Sequence, residues 1–229
     1  MKKVLNIILS VILCFSVISP CFAIQSFAET GDETTLKFKD GKFRILIIAD
    51  PQDVVNPCEE TIELMNASIE EANPDLIVFT GDNIHGPSPV LYKSKKRVEK
   101  AIRQIMEPVT SRNIPFAIVY GNHDDEGKVS KEFQMDVYKS LPGCLASAGE
   151  DMTGCGNYNL PIKSSDGTKN VLNLWFIDSG TYDKENGGYA HVEEDQLDWY
   201  KKTSDALKAE NGGVPMPSLL FQHIPVPEI

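Results

Sequence analysis

"FAIVYGNHDDE", residues 116–126, runs apolar for five positions and breaks at Gly121. An amide, an imidazole and two carboxylates follow at once, as Asn122, His123, Asp124 and Asp125. The β-branched and aromatic run fits a buried strand. Taken alone, the break is a turn, because Gly, Asn and Asp accept positive φ and bond their own backbone. Three other segments repeat the design. Apolar residues lead to Asp50 in "IIADPQD", to Asp82 in "VFTGDNIH" and to His223 in "LLFQHIPVPE". One such ending is ordinary. Four, each delivering Asp, Asn or His, predict oxygen and imidazole ligands on the same rim of one sheet. Divalent metals ask for that combination: carboxylates to cancel charge, neutral nitrogen and amide donors to tune affinity, and rigid strands to fix geometry.

The rest of the chain supplies the matching organisation. "FRILIIAD" (43–50) and "DLIVFTGD" (75–82) read as strands, like "PFAIVYGNHD" (115–124). Between them, 58–72 carries Ile62, Met65 and Ile69 at helical spacing and is stopped by Asn73-Pro74; 93–106 carries Val98, Ile102 and Ile105 and is stopped at Pro108. A third helix is expected over 131–141. "GNYNLPI" and "NVLNLWFIDSG" read as a strand pair, 193–207 as a helix, and the segment from Ser218 onward as a last strand. Strands that are nearly continuous apolar runs alternate with helices, so the fold class is α/β, with sheet covered on both faces. Functional groups in such folds collect beyond the carboxyl ends of the strands.

Bulk properties narrow the function. The 229 residues are 41% hydrophobic and 24% charged, as in ordinary globular proteins. Net charge is −11, and Lys2 and Lys3 are the only charges in the first 28 residues, so the body carries −13. An acidic body with no basic run repels phosphate backbones, which excludes nucleic acid and anionic membranes as expected partners and suits cation binding. "MKK", an apolar run over 4–18 and small residues up to Ala23 or Ala28 predict a cleaved secretory signal over 1–28. That run is shorter than the roughly 20 residues of a membrane span, so no stable anchor is expected and the localisation is extracytoplasmic. A polar lead-in over 29–42 precedes the domain, 43–229. Of five cysteines, two lie in the signal. Cys144 and Cys155 are candidates to close a loop, with two unpaired thiols as the alternative.

The ordered motifs resemble those of the calcineurin-like metallophosphoesterase superfamily, whose signature is D-x-H, G-D, G-N-H-D/E, a lone His, and G-H-x-H. "GDN" at Gly81 and "GNHD" at Gly121 match fully, and "FQHIPVPE" and "LWFIDSG" resemble the purple acid phosphatase branch. The resemblance implies a layered αββα sandwich of mixed sheets flanked by helices. It also implies two divalent ions (iron, manganese or zinc), bridged by Asp82, that activate a hydroxide to attack a small phosphorylated substrate. Carried over, Asp50 binds the first metal, while Asn122 and His223 bind the second. His123 is the acid beside the leaving group, and Asp124 holds its ring. Such an ion pair clamps phosphate oxygens and lowers the pKa of bound water from 15.7 toward roughly 7.

Two departures qualify this. Gln52 stands where the family has His, either as a weaker, harder ligand or as a hydrogen-bonding support. No G-H-x-H follows His223, and His85, His123, His191 and His223 are the only histidines, so the domain is expected to be truncated, to lack its final strands and to have a weakened first site. His85, three residues past Asp82, is a candidate substitute ligand or a loop residue. His191 reads as a surface or capping residue, with 193–195 suited to a helix's first turn. Asp178 reads as a support for the ligands or as a turn residue. Two other functions compete with a phosphoesterase. One is a non-catalytic remnant that keeps a metal or a phosphoryl ligand. The other is a two-carboxylate glycosidase built on Asp50 and Asp82, which leaves Asn122, His123 and His223 without a role.

Overall fold

The computed structural model describes residues 35–226, so the expected secretory segment and the start of the lead-in lie outside the described residues. In chain order the elements are β1 (Ile45–Ile48), α1 (Glu59–Ala72), β2 (Leu76–Thr80), α2 (Lys95–Ile105), α3 (Glu107–Thr110) and β3 (Phe116–Val119). Then follow α4 (Lys131–Lys139), β4 (Tyr158–Lys163), β5 (Asn170–Phe176), α5 (Glu194–Glu210) and β6 (Ser218–Phe221). Among the described residues no helix is long and apolar enough to cross a membrane.

The helices lie where the periodicity placed them. α1 buries Met65 and Ile69 and ends at Asn73, whose left-handed φ of 41° turns its N–H onto the Ile69 carbonyl at 2.9 Å. α2 buries Val98, Ala101, Ile102 and Ile105. Pro108 does not stop the helical path as expected. It sits in the first turn of α3, where its missing N–H has no intrahelical partner to lose, while Met106 serves as C-cap of α2 and N-cap of α3.

Two three-stranded sheets are formed. The first, β1-β2-β3, is parallel throughout, with Ile47 opposite Val78 and Val78 opposite Ala117. The second, β4-β5-β6, pairs β4 antiparallel and β6 parallel to β5. The strand leading to His223 therefore belongs to the second sheet, and the expected single rim is a rim shared by two sheets. An apolar run such as "SLLF" does not encode which strand it pairs with. Nor is every strand covered on both faces: β1 and β6 are edges, with Ile47 55% and Leu219 48% exposed.

The sheets meet through one core, and the phenol of Tyr158 on β4 both donates to the Ile118 carbonyl (2.7 Å) and accepts from the Ile118 N–H (3.0 Å) on β3. Period-two alternation along β5 and the residue after it splits the side chains: Leu174 and Phe176 enter that core, whereas Trp175 and Ile177 pack outward with Trp199 and Leu207 of α5. The result is a mixed α/β layered fold with helices packed on the sheets. Residues 35–42 also take part. Leu36 is buried in the core, and the chain pairs with the end of β4 at Lys163.

Candidate metal centre and acid

The loops after β1 and β2 stay paired beyond their strands. The Asp50 N–H reaches the Gly81 carbonyl (3.3 Å), the Gln52 N–H the Asp82 carbonyl (3.0 Å), and the His85 N–H the Asp53 carbonyl (2.9 Å). In these loops Asp50, Gln52 and Asp82 take left-handed φ values of 51°, 42° and 49°. Such backbone costs about 1 kcal/mol or more per residue and persists where surrounding structure holds it. The loop after β3 closes on this pair. Gly121 lies so near Asp82 that a β-carbon would collide with its Oδ1, and Gly81 (φ 104°) would place one 2.6 Å from Nδ1 of His223. Glycine at both positions is a requirement of close approach.

Four of the predicted residues come together. One ligand atom each from Asp50, Asp82 and His223 lies within 4.8 Å of the others. Nε2 of His223 is 3.4 Å from Oδ2 of Asp82 and 3.2 Å from Oδ1 of Asn122. Its Nδ1 faces the Thr80 carbonyl at 3.0 Å, so an Nδ1–H donated there leaves the Nε2 lone pair aimed at the cluster. Asp82 and Asn122 are buried and Asp50 is exposed, so the cluster opens on the Asp50 side. Burial alone would raise the Asp82 carboxyl. Contact with the His223 ring and donation from the His123 N–H (2.8 Å), together with the charge of those rings, take it below its ordinary value. Its contact with Asp82 in turn raises the His223 imidazole against the opposing effect of burial. Two carboxylates, an amide oxygen and an imidazole lone pair converging without a lysine or arginine among them fit a divalent cation. Gln52 turns its amide nitrogen, not its oxygen, toward the cluster and donates to Oδ2 of Asp82 at 3.0 Å.

His123 lines the same opening, with Nε2 3.9 Å from Oδ2 of Asp82. The carboxylate on its other nitrogen is not Asp124. Glu126 Oε2 meets Nδ1 at 2.7 Å, and the second Glu126 oxygen accepts from the Tyr182 hydroxyl at 2.8 Å. Asp124 is 1% exposed and turns inward, accepting from the backbone N–H groups of Gly121 (2.7 Å), Asn83 (2.8 Å) and Ile84 (3.1 Å). It staples the loop after β3 to the loop after β2. Burial pushes its carboxyl up to about 7, against the pull of the Gly121 and Ile84 amides. The adjacent residue is too short and wrongly directed to reach the ring. A carboxylate three residues past the histidine, already within the quoted stretch, can reach it.

The remaining candidates lie apart from the cluster. The His85 ring is 6.5 Å from the His123 ring, centroid to centroid, and outside the group of close ligand atoms. His191 is exposed, 4.0 Å from Glu193, which caps α5 through a reciprocal box with Gln196. Asp178 is buried on Lys131 Nζ (2.9 and 3.0 Å) and accepts from the Cys155 and Gly180 N–H groups, fixing the start of the loop that carries Tyr182. Cys144 and Cys155 are free thiols, both pushed up to about 11 by burial. A cavity of about 780 Å³ lies between β6 and α5, lined by Leu197, Tyr200, Leu220 and Ile224 among others; no carboxylate and none of the four ligand residues lines it.

Comparison with known proteins gives this geometry its class. Residues 43–228 match the family described as Calcineurin-like phosphoesterase. The chain belongs to that family, on its purple acid phosphatase branch. It is 31% identical over 262 residues to "Probable inactive purple acid phosphatase 14" of Arabidopsis thaliana, a match covering 99% of this chain and 64% of the relative. It is 31% identical over 225 residues to "Phosphatase DCR2" of Saccharomyces cerevisiae, covering 87% of this chain and 37% of the relative. Over 84 residues it is 37% identical to "Uncharacterized metallophosphoesterase YkuE" of Bacillus subtilis, covering 36% of this chain and 24% of the relative. The chain thus spans less than two thirds of the length of these curated relatives. Calcineurin-like phosphoesterases use divalent metals and act on phosphoesters, and the group formed by Asp50, Asp82 and His223 is a possible metal-binding group in this chain.

Proposed function

We propose that this domain hydrolyses phosphate esters in a divalent-metal-dependent reaction. One observation carries the reading: Asp50, Asp82, Asn122 and His223 converge, and Nε2 of His123 faces the same opening. Of the ligand set, Asp82 and Asn122 are buried, His223 Nε2 touches both, and Asp50 is exposed. Bound there, divalent ions supply attraction for phosphoryl oxygens and acidify water. The chain's own residues do the rest. The Thr80 carbonyl fixes the His223 tautomer, and Gln52 and the His123 N–H hold the two oxygens of Asp82. As the bond from phosphorus to the leaving oxygen breaks, its electron pair stays on that oxygen, which takes the Nε2 proton of His123, while the oxygen of water bonds to phosphorus and the proton that water gives up passes to solvent. Glu126 steadies the imidazolium before the transfer.

The test is hydrolysis of 4-nitrophenyl phosphate and bis(4-nitrophenyl) phosphate by chelator-treated protein given back Mn²⁺, Zn²⁺ or Fe²⁺. Turnover restored by a metal supports the reading, and no turnover with any metal overturns it. A second reading, a phosphoryl-binding domain without turnover, is favoured by Gln52, whose amide nitrogen faces Asp82 where the family places an imidazole. The words "probable inactive" in the names of the plant relatives agree with it. Inorganic phosphate bound with metal but no ester hydrolysed would select this alternative. Export from the cell rests on the N-terminal sequence, and Edman sequencing of protein from the medium, starting after Ala23 or Ala28, tests it.

A further inference from the structure

The hydroxyl of Tyr182 touches both halves of the site. Asn122 Nδ2 donates to it at 2.8 Å, and it donates to Glu126 Oε1 at 2.8 Å. These two contacts fix directions along the whole chain of bonds. A phenol has one proton, and Tyr182 gives it to a carboxylate that can only accept, so its oxygen is free to receive the Asn122 amide. With its NH₂ end held there, Asn122 turns Oδ1 to the ligand cluster, 3.2 Å from His223 Nε2. At the other end, Glu126 presents its second oxygen to His123 Nδ1 at 2.7 Å, which sends that ring's Nε2 toward Asp82. Tyr182 comes from a different part of the chain, 60 residues from Asn122. Its ring stacks on Tyr189 (5.8 Å, 21°), and the two residues bridge across their loop, whose base is anchored by Asp178.

We infer that Tyr182 and Glu126 are positioning residues: Tyr182 aligns a metal ligand, Asn122, and, through Glu126, the proton donor His123. The inference deepens the phosphoesterase reading and rests on it for its rate effects alone. Without Tyr182 the Asn122 amide has no acceptor holding its NH₂ end away from the cluster, and a turned amide points two protons at a cation. Without Glu126 the His123 ring loses the acceptor that selects Nδ1–H in the neutral ring and that steadies the imidazolium, the form whose Nε2 proton is donated.

Three measurements on the full chain test this, with Tyr182→Phe and Glu126→Ala compared at equal thermal stability. Mn²⁺ binding to chelator-treated protein should weaken about tenfold in Tyr182→Phe, the lower range for losing a group that orients a ligand. In ¹⁵N-histidine spectra of metal-free protein, with His123→Asn for assignment, His123 should be the Nδ1–H tautomer and shift toward Nε2–H in Glu126→Ala. At saturating Mn²⁺, Glu126→Ala should slow hydrolysis of an alkyl phosphate about 100-fold but that of 4-nitrophenyl phosphate about threefold or less, because a good leaving group needs little proton donation. Wild-type Mn²⁺ affinity in Tyr182→Phe, an unshifted tautomer, or equal slowing of the two esters overturns the inference. Absence of turnover in the wild type refutes the phosphoesterase reading alone, since affinity and tautomer are still measured.

Discussion

Asp124 shows how two adjacent residues of one motif divide their work. His123 faces the opening, while the Asp124 carboxylate receives three backbone N–H groups from two loops that must stay together for Asp82 and Asn122 to meet. Asp124→Asn keeps the size but aims an NH₂ group at one or more of those donors. It should therefore lower stability to urea by about 2–3 kcal/mol, the cost of leaving buried donors unpaired, and weaken metal binding as a consequence. A wild-type unfolding midpoint would remove the staple role. The motif itself was legible in the sequence, as was the convergence on Asp50, Asp82, Asn122 and His223. The partner of the His123 ring was not. Asp124 and Glu126 are both carboxylates within reach by sequence distance, and only the course of the loop, with Asp124 turned under it, decides between them. Tyr182 carried no signal at all, because nothing in a tyrosine 60 residues away marks it as a neighbour of Asn122.

Among the elements, the β4–β5 hairpin and α5 carry the second sheet that brings His223 to the site. The hairpin turn is held by Asp166, which accepts from the Ser164 hydroxyl (2.5 Å) and from the Thr168 N–H (3.0 Å) and hydroxyl (2.9 Å). Ser164 first, then the Thr168 amide, depress the Asp166 carboxyl from 3.8 to about 2. A depressed carboxyl releases its proton more readily in the folded state. Its stabilisation is thus complete above 3.8 and fades as pH falls through about 2. Asp166→Ala should melt below wild type at neutral pH, and the gap should narrow between 3.8 and about 2; a gap independent of pH over that range would contradict the assignment. On the other face, Trp199 of α5 meets Trp175 of β5 edge to face at 5.5 Å. Trp199→Ala should cost about 3–5 kcal/mol in chemical denaturation, as large core truncations do, and erase the near-ultraviolet signal of the pair. The path of α2 into α3 was the element boundary that sequence misjudged. Proline ends one helix as readily as it begins the next, and only the backbone at Met106 separates the two outcomes.

At the scale of the molecule, two sheets of opposite origin in the sequence share one rim. The first is a run of parallel strands whose alternation with helices is plain in the sequence. The second closes on it through Tyr158, Phe176 and Phe221 and delivers His223 from outside the first sheet. Its apolar runs announced strands but not their partners, so the layers and the shared rim became visible only in the folded chain. All of the chemistry argued here depends on that convergence being a cation site. The most direct measurement is calorimetric titration of Mn²⁺ into chelator-treated protein, wild type beside Asp82→Asn, each with its ion content counted by elemental analysis. The account predicts saturable binding of at least one ion per chain in the wild type and its loss in Asp82→Asn, with the variant still folded. Binding that is absent in the wild type, or undiminished in the variant, would contradict it.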